Sequence, residues 1–406
     1  MLLIEAGPDV SLDFEAVIEA AEHQVGLTIS GDVGFMPGLE ALIHSIRTDV
    51  WSGYTPHVRA CMGRSLAHLL AGRLAVLECR RQYPPISQIR VEKPIFFIGM
   101  GRTGSTLIQT LMAQDPANIA PQLWETIVPA PPPRFGLDSQ RRDRVAQIMT
   151  WYLEAMPELL AQHPYFIEDG FRALAECGSI CELNFSGVQF FSYFGTRSHF
   201  DWFMSTSHDD TIAFHKMFLQ HLQWGRDGRH WMCKSVEHGA LLEELKSTYP
   251  DALFVWTHRD PYAQTASLAS TLAVIRERCG GLNDRLQLGR DALRCVKETL
   301  DKGMATRQTS PEGIFYDVYF PDLLSDPVAT LKLLYEKWGR PFNAETQLAI
   351  ETWLRNNPPD KGGIHRYTGE QFGLNRELIE RELAGYLECF GGALEHARAR
   401  REQANP

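Results

Sequence analysis

The sequence predicts an α/β fold in which a central parallel β-sheet is flanked by helices. Four short apolar runs, rich in β-branched and aromatic residues, predict strands buried on both faces. They are Pro94–Ile98, Trp231–Cys233, Leu253–Trp256 and Ile314–Val318. Helical runs such as 240–247 separate them, and this alternation indicates parallel pairing through right-handed crossovers. Ligands of such sheets bind at the carboxyl ends of the strands, where the motifs below fall.

The chain before the first predicted strand is expected to be helical. Apolar residues recur at helical spacing in three stretches, the longest of them 58–81, and Pro84 marks its end. We therefore predict a helical extension over residues 1–90, an α/β domain over 91–390 and a C-terminal tail over 391–406.

The composition disfavours several classes of protein. The 406 residues, 44% of them hydrophobic, allow a large core. A net charge of −10 argues against nucleic-acid and anionic-membrane surfaces, because both need clustered lysine and arginine. No apolar run reaches the roughly 18 residues of a membrane-spanning helix, and the N-terminus does not resemble a secretion signal. We therefore expect a cytoplasmic protein whose 8 scattered cysteines are reduced thiols.

A glycine-rich loop follows the first predicted strand. Residues 99–106 read GMGRTGST and lead into a helix predicted to begin at Ser105. Glycines allow successive N–H groups to converge on one anion at a helix N-terminus. Arg102 adds a planar guanidinium that suits a tetrahedral oxyanion, and Ser105 and Thr106 can bind phosphate oxygens. Triphosphate-binding loops have lysine where this chain has Ser105, so its absence argues against triphosphate chemistry.

A second anion-binding pattern follows the strand Leu253–Trp256. Arg259 lies at the end of this strand, and Ser267 lies further on, inside the helix predicted to begin near residue 262. An arginine and a hydroxyl placed in this way can bind one phosphate group together. Asp260 is expected to cap the helix. His258 is expected to be structural, and the alternative is that it orients the loop. The alternative is that Arg259 only pairs with a carboxylate such as Asp260.

The two motifs together resemble the sulfotransferase superfamily, and best its bacterial branch, which has the pattern P-I-F-I-x-G-x-x-R-[ST]-G-[ST]-T-L-L and, later, T-H-R-D-P. The similarity covers about residues 93–390 and includes Trp124-Glu125, Lys234-Ser235 and Phe372-Gly373-Leu374. It implies a P-loop NTPase-like three-layer fold and the co-substrate PAPS (3′-phosphoadenosine-5′-phosphosulfate), which leaves as PAP (3′,5′-ADP). Val236 is a departure, because the branch usually has proline there.

The resemblance also implies binding roles for individual residues. Arg259 and Ser267 would bind the 3′-phosphate, and in relatives a late basic loop closes over that phosphate, which points to Lys361 or Arg366. The residues implied for the 5′-phosphosulfate are Arg102, Thr103, Gly104, Ser105 and Thr106.

Sulfuryl transfer is expected to be an in-line displacement in which Arg102, Lys234 and backbone dipoles neutralise charge without a metal. Lys234 would stabilise the bridging oxygen of the leaving phosphate. The base has two candidates: Glu125, in a Glu-Thr-x-x-x-Pro context similar to that of the tyrosylprotein sulfotransferases, and His238. Animal cytosolic enzymes have a histidine two residues after their strand-end lysine, whereas here the separation is four. We favour Glu125 and expect burial to raise its pKa; a structural role for both residues is the remaining alternative.

The acceptor is predicted to be a small apolar alcohol or a lipid, because residues 126–225 are rich in aromatics that could line a pocket. The alternative is that these aromatics are core residues. Two other functions stay open: a P-loop kinase, disfavoured by Ser105, and a non-catalytic protein that binds PAP or an apolar ligand. Enzymes of this class often form homo-oligomers, although the sequence identifies no interface.

Overall fold

The chain divides into two compact units, each assembled from separate stretches of sequence. Unit 1 comprises Met1–Val91, Pro121–Asp227 and Leu272–Asn283, and unit 2 comprises the rest: Glu92–Ala120, Gly228–Thr271 and Asp284–Pro406. The computed structural model describes residues 4, 7–136, 138–155, 170–226, 228–281, 284–358 and 367–404.

Unit 2 contains a parallel sheet. Its strands are β1 (Ile95–Phe97), β2 (Asn118–Ile119), β3 (His230–Lys234), β4 (Leu253–His258) and β5 (Phe315–Tyr319). They are parallel and lie in the order β2-β3-β1-β4-β5, which confirms the predicted α/β class. The sequence predicted four of the five. β2 was missed because a two-residue strand leaves no apolar run to detect.

The centre of the sheet explains the apolar first strand. β1 pairs on one side with β3, Phe97 opposite Lys234, and on the other with β4, Phe97 opposite Val255. Because helices cover both faces of a parallel sheet, a central strand has no polar side, and all three β1 side chains are buried. The glycine loop therefore starts from a fully buried strand.

The helices whose ends were predicted from the sequence, such as those over 58–81 and 240–247, agree with the structure to within a few residues. α3 ends directly before the Tyr83-Pro84 stop signal. The α-helices of the described residues, numbered along the chain, are α1 (Phe14–Val25), α2 (Met36–Ser45), α3 (Pro56–Gln82), α4 (Ser105–Met112), α5 (Leu123–Ile127), α6 (Ser139–Ala155), α7 (Gly178–Cys181), α8 (Gln189–Phe194), α9 (Arg197–Ser205), α10 (Asp209–Gln223), α11 (Leu242–Thr248), α12 (Pro261–Arg278), α13 (Arg285–Gln308), α14 (Phe320–Ser325), α15 (Pro327–Trp338), α16 (Ala344–Asn356), α17 (Arg376–Glu382) and α18 (Ala384–Ala404). Single π or 3₁₀ turns lie at Ile46–Val50, Trp51–Gly53, Pro84–Gln88, Pro133–Phe135, Gly170–Arg172, Glu182–Asn184 and Gly369–Phe372. None of the described helices combines the length and the apolar character needed to cross a lipid bilayer.

The core of unit 1 joins its N-terminal helices to the aromatic segment of the middle of the chain. Leu39 of α2 and Leu66 and Leu70 of α3 are buried in one cluster with Phe185 and Phe190. The alternative interpretation of the aromatic segment, that its rings are core residues, is thus confirmed for the rings that are buried: Phe185, Phe190, Phe191, Phe194, Phe200 and Phe203.

Two glycines of α3 provide a test of how closely unit 1 is packed. A Cβ at Gly63 would lie 2.1 Å from the carbonyl oxygen of Val10, whereas a Cβ at Gly72 would meet nothing nearer than 3.4 Å. Gly63→Ala should therefore lower the free energy of unfolding by about 1–3 kcal/mol, the usual cost of overpacking. Gly72→Ala should be neutral or stabilise by up to about 1 kcal/mol, because alanine favours helix. Urea unfolding of both variants measures the difference, and equal effects would contradict the close approach.

Candidate active site

The predicted anion loop connects β1 to α4 in unit 2, and glycine is required at both of its ends. A Cβ on Gly99 would lie 2.0 Å from the hydroxyl oxygen of Thr257 in β4, so only glycine permits this approach. Gly104 has a φ of +88°, and a Cβ there would also lie 2.8 Å from the ring of Phe320. The two glycines therefore let the loop lie directly on the carboxyl end of β4 and on the start of α14.

Arg102 brings the two predicted motifs together. It has a φ of 71°, an uncommon conformation for a residue with a side chain. Its Nε donates a hydrogen bond to Oγ of Ser267 at 2.9 Å, and its carbonyl oxygen accepts one from Nη1 of Arg259 at 2.8 Å. Three residues that the sequence assigned to opposite ends of one nucleotide are therefore in direct contact within unit 2.

The hydroxyl of Thr103 is hydrogen-bonded within the loop and to β4. It donates to the carbonyl oxygen of Met100 at 2.7 Å and lies 2.5 Å from the hydroxyl of Thr257, which must then be the donor. Ser105 is the first residue of α4 and is buried, and Thr106 is partly buried. Gly104 offers no side-chain cap to α4, so no side chain of the N-cap residue would compete with an anion for the first N–H groups of this helix.

Arg259 does not pair with its neighbour Asp260. The Asp260 carboxylate accepts from the N–H of Ala263 at 2.8 Å, which confirms the predicted helix cap, and from Arg376 at 3.0 Å. The Arg259 guanidinium lies 4.8 Å from the ring centre of Phe320. Within the described part of the chain, no carboxylate lies within ion-pair distance of Arg259.

Lys234 and His238 lie at the carboxyl end of β3 and shortly after it. Lys234 is the last residue of that strand, and both side chains are buried. Nδ1 of His238 donates to the carbonyl oxygen of Phe97 at 3.0 Å, since that oxygen can only accept. Burial, together with the nearby Lys234 charge, lowers the pKa of His238 to about 3. At neutral pH this imidazole is uncharged and a weak proton acceptor.

Glu125 lies in unit 1, on α5. Its position 23 residues after Arg102 predicts that it lies where a second strand ends, and this prediction is wrong. β2 ends at Ile119, and a capping box between Gln122 and Glu125 begins a helix instead. Within the box, Oε2 of Glu125 accepts from the N–H of Gln122 at 2.9 Å. Oε1 accepts from the guanidinium of Arg226, a partner that the sequence could not identify because it lies 101 residues away.

The Glu125 carboxyl has no exposed surface, and burial raises its pKa even though the Arg226 guanidinium opposes the shift. The predicted direction is therefore confirmed. A carboxylate whose pKa moves toward neutrality is a better proton acceptor than an exposed one.

Three side chains hold the backbone at the end of α5 and directly after it, and the sequence singled out none of them. Arg141 donates to the carbonyl oxygen of Val128 at 2.8 Å. His68 and His221 bond to the carbonyl oxygens of Ile127 and Pro129 at 3.2 and 2.8 Å. Burial lowers the pKa of both histidines to about 4, so each is a neutral donor at physiological pH.

Lys361 and Arg366, the residues of the predicted late basic loop, lie outside the described residues.

A family model described as "Sulfotransferase family" matches residues 94–344, which is more than half of the chain and includes both anion-binding motifs. This chain belongs to the sulfotransferase family. It is therefore a transferase enzyme, and the resemblance inferred from the motifs is confirmed. No curated protein sequence matches it.

Solved sulfotransferase structures share the fold over almost the whole chain. The sulfotransferase STF9 from Mycobacterium avium is 25% identical, with a TM-score of 0.83, and the match covers 95% of this chain and 98% of that one. The sulfotransferase STF1 from Mycobacterium tuberculosis H37Rv is also 25% identical, with a TM-score of 0.79 and coverage of 93% and 99%. The P-loop-like fold predicted for this sulfotransferase is thus confirmed.

Removal of Arg226 from its ion pair with Glu125 should make the free energy of unfolding depend on pH. Arg226→Met leaves a buried carboxylate without its counter-charge, which should cost about 3–5 kcal/mol at pH 8. It also raises the folded-state pKa of Glu125 further above the unfolded value. The folded protein then binds a proton that the unfolded chain lacks, so stability should recover as the pH falls toward 5.

Urea unfolding at several pH values measures this recovery. The double variant Glu125→Gln/Arg226→Met has no carboxylate at this position, so its stability relative to Glu125→Gln should not change over the same range. A loss from Arg226→Met that is equal at pH 5 and pH 8 would contradict the pairing.

Proposed function

We propose that this sulfotransferase uses PAPS and transfers its sulfuryl group to an acceptor hydroxyl or amine. The observation that carries the proposal is the contact of Arg102 with both Arg259 and Ser267 in unit 2. Two arginines that lie in direct contact, next to a helix N-terminus without a side-chain cap, would suit a bound anion. PAPS has phosphate groups at two positions of one adenosine, which suits two adjacent anion-binding motifs.

The proposed binding mode assigns one end of the nucleotide to each motif. The loop N–H groups and Arg102 would bind the 5′-phosphosulfate, and Arg259 and Ser267 the 3′-phosphate. A guanidinium has five N–H donors, and the carbonyl oxygen of Arg102 accepts from only one nitrogen of Arg259. Arg259 can therefore bind a phosphate without giving up its contact with the loop.

The proposed reaction is an in-line displacement at sulfur. The acceptor oxygen forms a bond to sulfur while the bond from sulfur to the bridging oxygen of PAPS breaks, and PAP leaves with the negative charge. Lys234 would stabilise the bridging oxygen, and Arg102 the sulfuryl oxygens. No step of this proposal uses a metal.

Glu125 is the proposed general base, and the acceptor proton would pass to its carboxylate. Its raised pKa supports this choice over His238, whose pKa of about 3 makes the imidazole a poor acceptor at neutral pH. The ion pair with Arg226 would keep the carboxylate charged and oriented despite its burial.

The proposed acceptor is a small apolar alcohol or a lipid. The net charge of −10 supports it, because a negative protein repels a polyanionic glycan. The buried phenylalanines of unit 1 do not support it, since they pack with one another and with the N-terminal helices.

Binding of PAP separates this proposal from nucleotide kinase chemistry. Isothermal titration should show PAP binding in EDTA, whereas a kinase would bind ATP with Mg²⁺. Arg259→Ala should raise the Kd for PAP by roughly ten- to a hundredfold, because it removes charge-assisted hydrogen bonds. Ser267→Ala should raise it by roughly three- to tenfold. Arg294→Ala, which breaks an ion pair within α13, is the control and should change nothing.

Turnover variants test the base. Transfer of ³⁵S from PAPS to a panel of phenols, sterols, lipids and sugars first identifies an acceptor. Glu125→Gln should then leave the Kd for PAP unchanged, since glutamine can keep the capping box, and lower kcat by roughly 10²–10⁴-fold. A fully active Glu125→Gln beside an inactive His238→Ala would reverse the assignment.

A further inference from the structure

His258, the last residue of β4, makes more specific contacts than a core histidine requires. It directly precedes Arg259, its side chain is fully buried, and both ring nitrogens are hydrogen-bonded. Nε2 lies 2.9 Å from Oδ1 of Asp317 in β5, and Nδ1 lies 2.9 Å from the hydroxyl of Tyr386 in α18.

The charge of Asp317 determines the direction of both bonds. Although burial opposes the shift, hydrogen bonds from Arg307 and His258 lower the pKa of Asp317 to about 2, so the carboxylate accepts and Nε2 of His258 donates. Burial lowers the pKa of His258, although Asp317 opposes that shift, so the ring is neutral. Nδ1 then accepts the hydroxyl hydrogen of Tyr386, and a single tautomer is selected.

The remaining contacts hold the ring in one orientation. Arg307 of α13 donates to both oxygens of Asp317, at 2.6 and 2.7 Å, and so fixes the carboxylate that accepts from His258. The imidazole stacks on the ring of Tyr319 at 5.1 Å, and the ring of Phe390 lies 4.2 Å away. Side chains from β5, α13 and α18 therefore converge on the end of β4.

The same strand pair carries Arg259. In the register of β4 and β5, His258 lies opposite Tyr319. The residues that directly follow these two, Arg259 and Phe320, are also in contact. β4 ends at His258, and Arg259 is the first residue after the strand. A tilt of the imidazole would move the guanidinium away from the carbonyl oxygen of Arg102.

We infer that His258 is a positioning residue for Arg259, and that the hydrogen bonds joining His258 to Asp317 and Tyr386 hold this arginine ready for the 3′-phosphate. The inference rests on the proposed PAPS-dependent function. It assigns to α18, at the far end of the chain, a part in nucleotide affinity that the motifs alone do not reveal.

The test compares two tyrosine-to-phenylalanine changes in unit 2. Tyr386→Phe removes only the hydroxyl that bonds to His258. Tyr335→Phe is the matched control, because Tyr335 is also buried and its hydroxyl bonds to Asp115 and Asn118. Isothermal titration gives the Kd of each variant for PAP and for 5′-AMP, which lacks the 3′-phosphate. Tyr386→Phe should weaken PAP by roughly three- to tenfold and leave 5′-AMP unchanged, whereas Tyr335→Phe should change neither.

A double-variant cycle adds a second readout. In an Arg259→Ala background, Tyr386→Phe should have no further effect on PAP, because the group that it positions is absent. His258→Gln should show the same selective loss for PAP, also only when Arg259 is present. Equal losses for PAP and 5′-AMP, or a loss that persists without Arg259, would overturn the positioning role while leaving the proposed function intact. Absence of PAP binding to the unaltered protein would instead overturn the proposed function, and this inference with it.

Discussion

The hydrogen bond from Arg259 to the carbonyl oxygen of Arg102 links two segments that are 157 residues apart in sequence. It is possible because β1 and β4 are neighbouring parallel strands, so that the segments following them leave the sheet at the same edge. The missing side chain of Gly99 allows the loop to lie directly on Thr257. Each motif alone provides one arginine, and this approach brings the two arginines together.

Several buried histidines of the described residues are neutral donors to the backbone. His68, His221 and His238 each bond to a carbonyl oxygen, and burial lowers the pKa of all three. A neutral imidazole can satisfy a buried carbonyl without bringing a charge into the core. The carboxyl group of Glu125 behaves in the opposite way, because its burial favours the protonated form and a guanidinium is needed to balance it.

The sequence predicted the features that are local and missed those that are not. The four apolar runs predicted four strands, because the burial of a strand shows in its own residues. The glycine loop, Arg259 and the Asp260 cap were recognised from short motifs, because loop conformation and helix capping depend on neighbouring residues. The helix that holds Glu125 and its pairing with Arg226 were not foreseen, since no local pattern marks a partner so distant. The aromatic rings of residues 185–203 were open to two interpretations because a lined pocket and a packed core use the same side chains.

Unit 1 is built from three separate stretches of chain, and this has a practical consequence for work with fragments. Its core packs Leu66 and Leu70 against Phe185, Phe190 and Phe194. A shortened protein starting at residue 92 would present these phenylalanine rings to water, and such surfaces promote aggregation. Soluble expression therefore calls for the intact polypeptide, even when only unit 2 is of interest.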